Sequence, residues 1–145
     1  NQLYQEMILE HNKNPRHFKE VDPCTHSSHG HNPLCGDDFK VMINCEDNII
    51  KDIGFTGQGC AISKASGSMM TEAIIGKRLD EVLKKKDEFL SLITTDDDIE
   101  HSLGKLKVFE GIKQYPVRVK CAALVWRALE DALENQEISN TISTE

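Results

Sequence analysis

Apolar residues recur at helical spacing in the opening segment, where Leu3, Met7 and Ile8 form one stripe that ends near Asn14-Pro15. The pattern predicts a short amphipathic helix. Residues 16–34 lose all periodicity and carry Gly30, Pro23, Pro33 and many polar side chains, which reads as a long, mobile loop. Phe39 to Cys45 then alternates apolar with polar, Glu46-Asp47-Asn48 supplies a turn, and Ile49 to Phe55 resumes a β-branched pattern. A hairpin is expected, with Asp38 near Phe55 and its open end between Cys35 and Cys60. From Cys60 to Gly76 the chain reads helical, with Ala61, Ala65, Met69, Ala73 and Ile74 on one side and Gly76 as a cap. Leu79 to Leu83 starts another helix, and residues 86–104 read as an insertion of helix and loop. Leu106 to Ile112 suggests a short helix before a break at Pro116. Cys121 to Gln136, with Ala122, Val125, Trp126, Leu129 and Leu133 as its stripe, is the clearest helix in the chain. One domain over 1–136 and a flexible tail over 137–145 are expected.

Composition narrows the function classes. With 145 residues, 39% apolar and 28% charged, the chain has the makeup of a soluble globular domain. No apolar run approaches the roughly 20 residues that span a bilayer, and a cytoplasmic location without membrane contact is expected. A net charge of −7 with no basic stripe argues against nucleic acid. Lys84-Lys85-Lys86 is read as a solvated helix face, and Met69 and Met70 as core filler.

Chemistry concentrates in the cysteines. Five are present, an odd count that suits metal binding or catalysis better than disulfides in a reducing compartment. Cys35, Cys60 and Cys121 each follow Gly or Pro punctuation, and their spacing is too wide for a local knuckle, so a shared site must be assembled by the fold. Cys60 and Cys121 each open a helical-looking run, where free N–H groups and the dipole favour a thiolate. Cys24, His26, His29 and His31 form a second cluster of metal-ligating types. Its spacing matches no firm template, and a polar loop can hold such residues without function. Cys45, inside a strand, reads as a small buried hydrophobe.

The motifs Cys35-Gly36-Asp37, Gly57-Gln58-Gly59-Cys60-Ala61-Ile62-Ser63 and Arg118-Val119-Lys120-Cys121-Ala122, with Trp126-Arg127-Ala128-Leu129-Glu130 beyond, resemble the U-type iron–sulfur cluster assembly proteins. The similarity runs from about Leu3 to about Leu133. Lys120 stands where the classical scaffolds place a His before the third cysteine, and residues about 86–104 look like the insertion of the SufU branch. The resemblance implies an α+β fold: a three-stranded antiparallel sheet packed with helices, its cysteine loops gathered at one end.

It also implies a ligand set of Cys35, Asp37, Cys60 and Cys121. Three thiolates leave tetrahedral zinc one ligand short, and Asp37 is the nearest carboxylate on its loop, the plain reading being a turn or cap residue beside Gly36. Zinc would keep the thiols ionised and guarded from oxidation. The function implied is zinc-dependent sulfur transfer in iron–sulfur cluster biogenesis. A pyridoxal-phosphate cysteine desulfurase of the SufS type offers a persulfide, and Cys35, on what reads as the more mobile loop, leaves the metal to accept the outer sulfur. Downstream assembly or acceptor proteins are the further partners. Arg118 is read as electrostatic support for a centre with about two uncompensated negative charges, against a plain reading, shared with Lys120, as a solvated cation. The alternatives are a scaffold holding iron or a [2Fe–2S] cluster on the same three cysteines, and a structural zinc adaptor.

Overall fold

The computed structural model describes residues 2–134 and 140–143. In chain order it contains α1 (Gln2–Lys13), β1 (His26–Asn32), β2 (Asp37–Glu46), β3 (Ile49–Gln58), α2 (Ala61–Ile74), α3 (Leu79–Thr94), a 3₁₀ helix (Gly104–Ile112), α4 (Pro116–Glu134) and β4 (Asn140–Ser143). Strands β1, β2 and β3 form an antiparallel meander, and β4 joins the free edge of β1 in parallel. The expected α+β architecture is present, with its three antiparallel strands under helices.

The β2–β3 hairpin follows from local chemistry. Asp47 and Asn48 adopt φ of 54° and 61°, the left-handed pair that a two-residue type I′ turn requires. Phe39, Val41 and Ile43 alternate into the core and meet Phe55 and Ile53 across the pair. The register differs from the expectation, because Asp38 faces Gln58 and Phe55 faces Val41. A tighter turn, with Glu46 opposite Ile49, and an irregularity between Asn44 and Cys45 move the pairing toward Gln58.

Where a long loop is expected from 16 to 34, the chain forms β1. Its sequence, His-Ser-Ser-His-Gly-His-Asn, has no apolar residue, so the alternation that marks a half-buried strand is missing. Its inward face is made instead of small or polar side chains, Ser28, Gly30 and Asn32. These let α4 come close: a Cβ on Gly30 would lie 2.9 Å from Leu124 Cδ1. Segment 17–21 then shields β3, His17 O accepting from Phe55 N at 3.1 Å and Phe18 meeting Phe55 edge to face at 5.1 Å.

Helix α4 lies across β1 and β2, while α2 packs on β3 and against α1 and α4. Trp126 anchors this core, stacked on Phe89 of α3 with centroids 4.5 Å apart and its Nε1 donating to Ser66 Oγ at 3.2 Å. Residues 86–94 are the second half of α3, continuous with the segment that starts at Leu79, and the loop of this region begins only after Thr94. The buried Lys86 ties α3 to α4 through Glu130 at 2.7 Å. The expected flexible tail includes residues 137–139, 144 and 145, which lie outside the described residues. Among the described residues no helix is long and apolar enough to cross a membrane.

Candidate metal centre

The fold brings Cys35, Asp37, Cys60 and Cys121 together, from the β1–β2 turn, the start of β2, the cap of α2 and the second turn of α4. Cys35 sits in the connection between β1 and β2, whose ends pair Asn32 with Asp37. This is a tight turn and not the tip of a long mobile loop. Asn32, fully buried, holds it: its carbonyl accepts from Cys35 N at 3.3 Å and Gly36 N at 2.9 Å, and its Oδ1 accepts from Leu34 N at 3.1 Å. The Asn32 amide also lies 3.8 Å from Cys35 Sγ. Gly36 completes the turn at φ 72°, a conformation that only a residue without Cβ adopts freely.

Asp37, the first residue of β2, is fully buried and faces the start of α2. Its Oδ1 accepts from Cys60 N at 2.8 Å, and its Oδ2 lies 3.9 Å from Cys60 Sγ. Gly59 makes that approach available, since a Cβ there would come within 2.5 Å of Asp37 Oδ1 and 2.9 Å of Ser63 Oγ. Cys60 is the N-cap of α2, as its sequence context suggests, and its sulfur accepts from Ser63 N at 3.5 Å.

Cys121 differs from the expectation. Helix α4 begins at Pro116, whose fixed φ suits the first helical position, so Cys121 projects from the second turn and not from a helix start. The dipole argument therefore applies to Cys60 alone. Cys121 is buried, and its Sγ lies 3.2 Å from Cys35 Sγ. All five cysteines are free thiols. The Cys60 thiol is lowered to about 6, first by the neighbouring Cys121 thiol, then against burial by the Ser63 hydroxyl and N–H, with Asp37 opposing. Cys121 is pushed far up by its thiol neighbours and by burial, and its own S–H is directed at Cys35 Sγ. Cys60 is thus the favoured thiolate.

Ligand atoms of Cys35, Asp37 and Cys121 lie mutually within 4.8 Å, with Cys60 at the side of Asp37. The donor set suits zinc. Tetrahedral zinc–sulfur bonds place neighbouring sulfurs about 3.8 Å apart, so Cys35 and Cys121 would open slightly from 3.2 Å and Cys60, outside their group, would draw in. A buried carboxylate beside a favoured thiolate is also a pairing that burial penalises unless a cation joins it.

Arg118 is exposed on the first turn of α4 and covers the Tyr115 ring at 4.6 Å. The hydroxyl of Tyr4 is raised by burial, with Arg118 opposing, and its ring meets Phe109 edge to face at 6.1 Å. Asn32 carries no signal in the sequence that marks it as a site neighbour. Ser63 does, because a hydrogen-bonding residue three positions after a helix cap is a capping pattern. Of the second cluster, Cys24 Sγ donates to His26 O and His26 Nδ1 meets Thr25 Oγ1, whereas His29 and His31 both turn to Asp38. Cys45 is half-buried at the irregularity in β2, and burial raises its thiol.

Comparison with known proteins gives a consistent result. The model of the NifU-like N-terminal domain matches residues 3–141. The zinc-dependent sulfurtransferase SufU of Bacillus subtilis (strain 168) is 38% identical over 141 residues, 95% of this chain and 94% of that protein. The iron–sulfur cluster assembly scaffold protein IscU of Streptococcus pyogenes serotype M1 is 36% identical over 135 residues, covering 92% and 84%. A crystal structure described for the SUF system of Fervidobacterium islandicum AW-1 superposes with a TM-score of 0.84 at 32% identity, covering 91% of this chain and 97% of that one. With the fold and the match in agreement, the chain belongs to the NifU-like N-terminal domain family.

Proposed function

We propose that the protein serves iron–sulfur cluster biogenesis as a zinc-dependent sulfur acceptor, taking persulfide sulfur from a pyridoxal-phosphate cysteine desulfurase onto Cys35. The observation that carries this reading is the unequal setting of the thiols. Cys121 is buried in α4; Cys35 and Cys60 are both partly exposed, but Cys60 is fixed at the α2 cap by Asp37 and Ser63, whereas Cys35 lies in a turn beside Leu34, which is 67% exposed. Cys35, Asp37, Cys60 and Cys121 would hold zinc, which would keep the thiols ionised and resistant to oxidation. The Cys35 thiolate attacks the outer sulfur of the donor persulfide. The donor S–S bond breaks, the donor cysteine leaves as a thiolate, and Cys35 becomes the persulfide with no net change in oxidation state. Asp37 orients Cys60 through its N–H, and Arg118 offsets the negative charge of the ligand set. The exposed Leu34, on the turn that carries Cys35, and Val117, on the first turn of the helix that carries Cys121, suit the docking of a desulfurase. The name of the B. subtilis relative supports the same reading.

A second reading keeps the residues and changes the cargo. Cys35, Cys60 and Cys121 would hold a [2Fe–2S] cluster for transfer to acceptor proteins, as the name of the S. pyogenes relative suggests. Lys120, in place of the His of the classical scaffolds, favours sulfur transfer. Metal content and absorbance of protein purified without oxygen separate the two. One zinc per chain and no visible absorbance are expected, whereas brown protein with iron and labile sulfide would establish the scaffold reading.

A further inference from the structure

Two histidines of β1 and one aspartate of β2 meet on the sheet face opposite α4. His29 and His31 share that face, two residues apart, and His31 pairs directly with Asp38. The Asp38 carboxylate serves both rings. His29 Nε2 contacts Oδ1, while His31 Nδ1 points at Oδ2 from 3.7 Å. That distance is too long for a hydrogen bond, and His31 Nδ1 is shut off from solvent without another partner. It is close to the separation of about 3.4 Å between two ligands on one tetrahedral ion with N and O bonds near 2.1 Å. The orphaned nitrogen and the carboxylate oxygen face each other across a gap of metal-bridging size. Both rings are two-fifths exposed, at 42% and 43%, and His29 already meets the same carboxylate. Lys40, opposite His29 in the register, is exposed, and its flexible chain lets the ammonium swing out to solvent.

We propose that His29, His31 and Asp38 form a second metal site, for a borderline divalent transition ion such as zinc, cobalt or nickel. Its N₂O ligand set leaves coordination positions for solvent, the arrangement of an exchangeable ion and not of a closed structural one. Asp37 and Asp38 are successive residues of a strand, so they serve opposite faces of the sheet. The thiol centre and this site are therefore chemically separate, and the second does not depend on the function proposed for the first.

Cobalt(II) titration of tag-free, reduced protein tests it. A thiolate-bound ion shows strong sulfur-to-metal charge-transfer absorption, whereas an ion on imidazole and carboxylate shows ligand-field bands alone. We expect a second equivalent of cobalt that adds ligand-field bands without charge-transfer intensity. His29→Gln, His31→Gln and Asp38→Asn should each weaken that equivalent at least about tenfold and leave the first unchanged. Retention of the second equivalent when Cys35, Cys60 and Cys121 are all replaced by Ser would support the site even if the thiol centre held no metal. Absence of a second equivalent in the unaltered protein, its indifference to the three substitutions, or its carrying thiolate intensity would overturn the proposal.

Discussion

A single carboxylate, Asp37, organises the thiol centre. It is fully buried, it orients Cys60 through the backbone N–H at 2.8 Å, and it lies within ligand distance of Cys35 and Cys121. Asp37→Ala should lower zinc affinity at least about tenfold, and thiol oxidation by peroxide should speed up accordingly. Equal zinc affinity in a competition with a chelator would remove Asp37 from the ligand set. Another expectation at this scale concerns pH. Burial, and then Arg16, hold His11 below the usual imidazole range, where it bonds Ser68 Oγ at 2.7 Å. Glu72 and Glu10 pull the other way, and Lys105 adds to the depression. The unfolded chain therefore takes up this proton at higher pH than the folded one. Stability from neutral His11 is full above about pH 6.5 and is lost as pH falls from there through the lower folded value. His11→Gln should flatten the decline of the thermal midpoint between pH 7 and 5; an unchanged slope would assign the decline to other groups. The identities of the thiols and of Asp37 are legible in the sequence because loop punctuation and the family resemblance mark them. The lowering of the Cys60 thiol is not, because it depends on the neighbours that the fold brings to each sulfur.

Elements place these residues, and their lengths explain how far each is legible. Helix α2 can be read from Cys60 because its cap and apolar spacing are local. The apolar stripe of α4 puts its start five residues late, since Pro116, which reads as a break, is its first residue. Strand β1 is not legible at all, for its inward face uses Ser, Gly and Asn where α4 comes too close for larger side chains. The joint between α2 and α4 is a further test. Ser66 accepts from Trp126 Nε1 and donates to Ala122 O at 2.7 Å, all buried. Ser66→Ala should cost about 1–3 kcal/mol in denaturant unfolding, because the indole N–H is left without its acceptor. A loss well below that would mean that the joint relaxes around the change. Gly59→Ala tests the junction of β3 with α2, where the added methyl meets Asp37 and Ser63. Weakened zinc binding with little loss of fold is the expected outcome, and full zinc affinity would show that Asp37 can move aside.

For the whole molecule, the sheet and its helices hold one buried and two partly exposed thiols around a buried carboxylate. Fold class and the site's location follow from the sequence, while strand register and the partners of His29 and His31 need three dimensions. The proposed function turns on Cys35 as the receiver of sulfur. Its sharpest test is mass spectrometry of alkylated peptides after the zinc-loaded protein is mixed with a cysteine desulfurase, pyridoxal phosphate and cysteine. One added sulfur is expected on the Cys35 peptide, and none on any peptide of a Cys35→Ser variant that still binds zinc. Persulfide on Cys60 or Cys121 in that variant, at the rate of the unaltered protein, would contradict the assignment of Cys35 as acceptor.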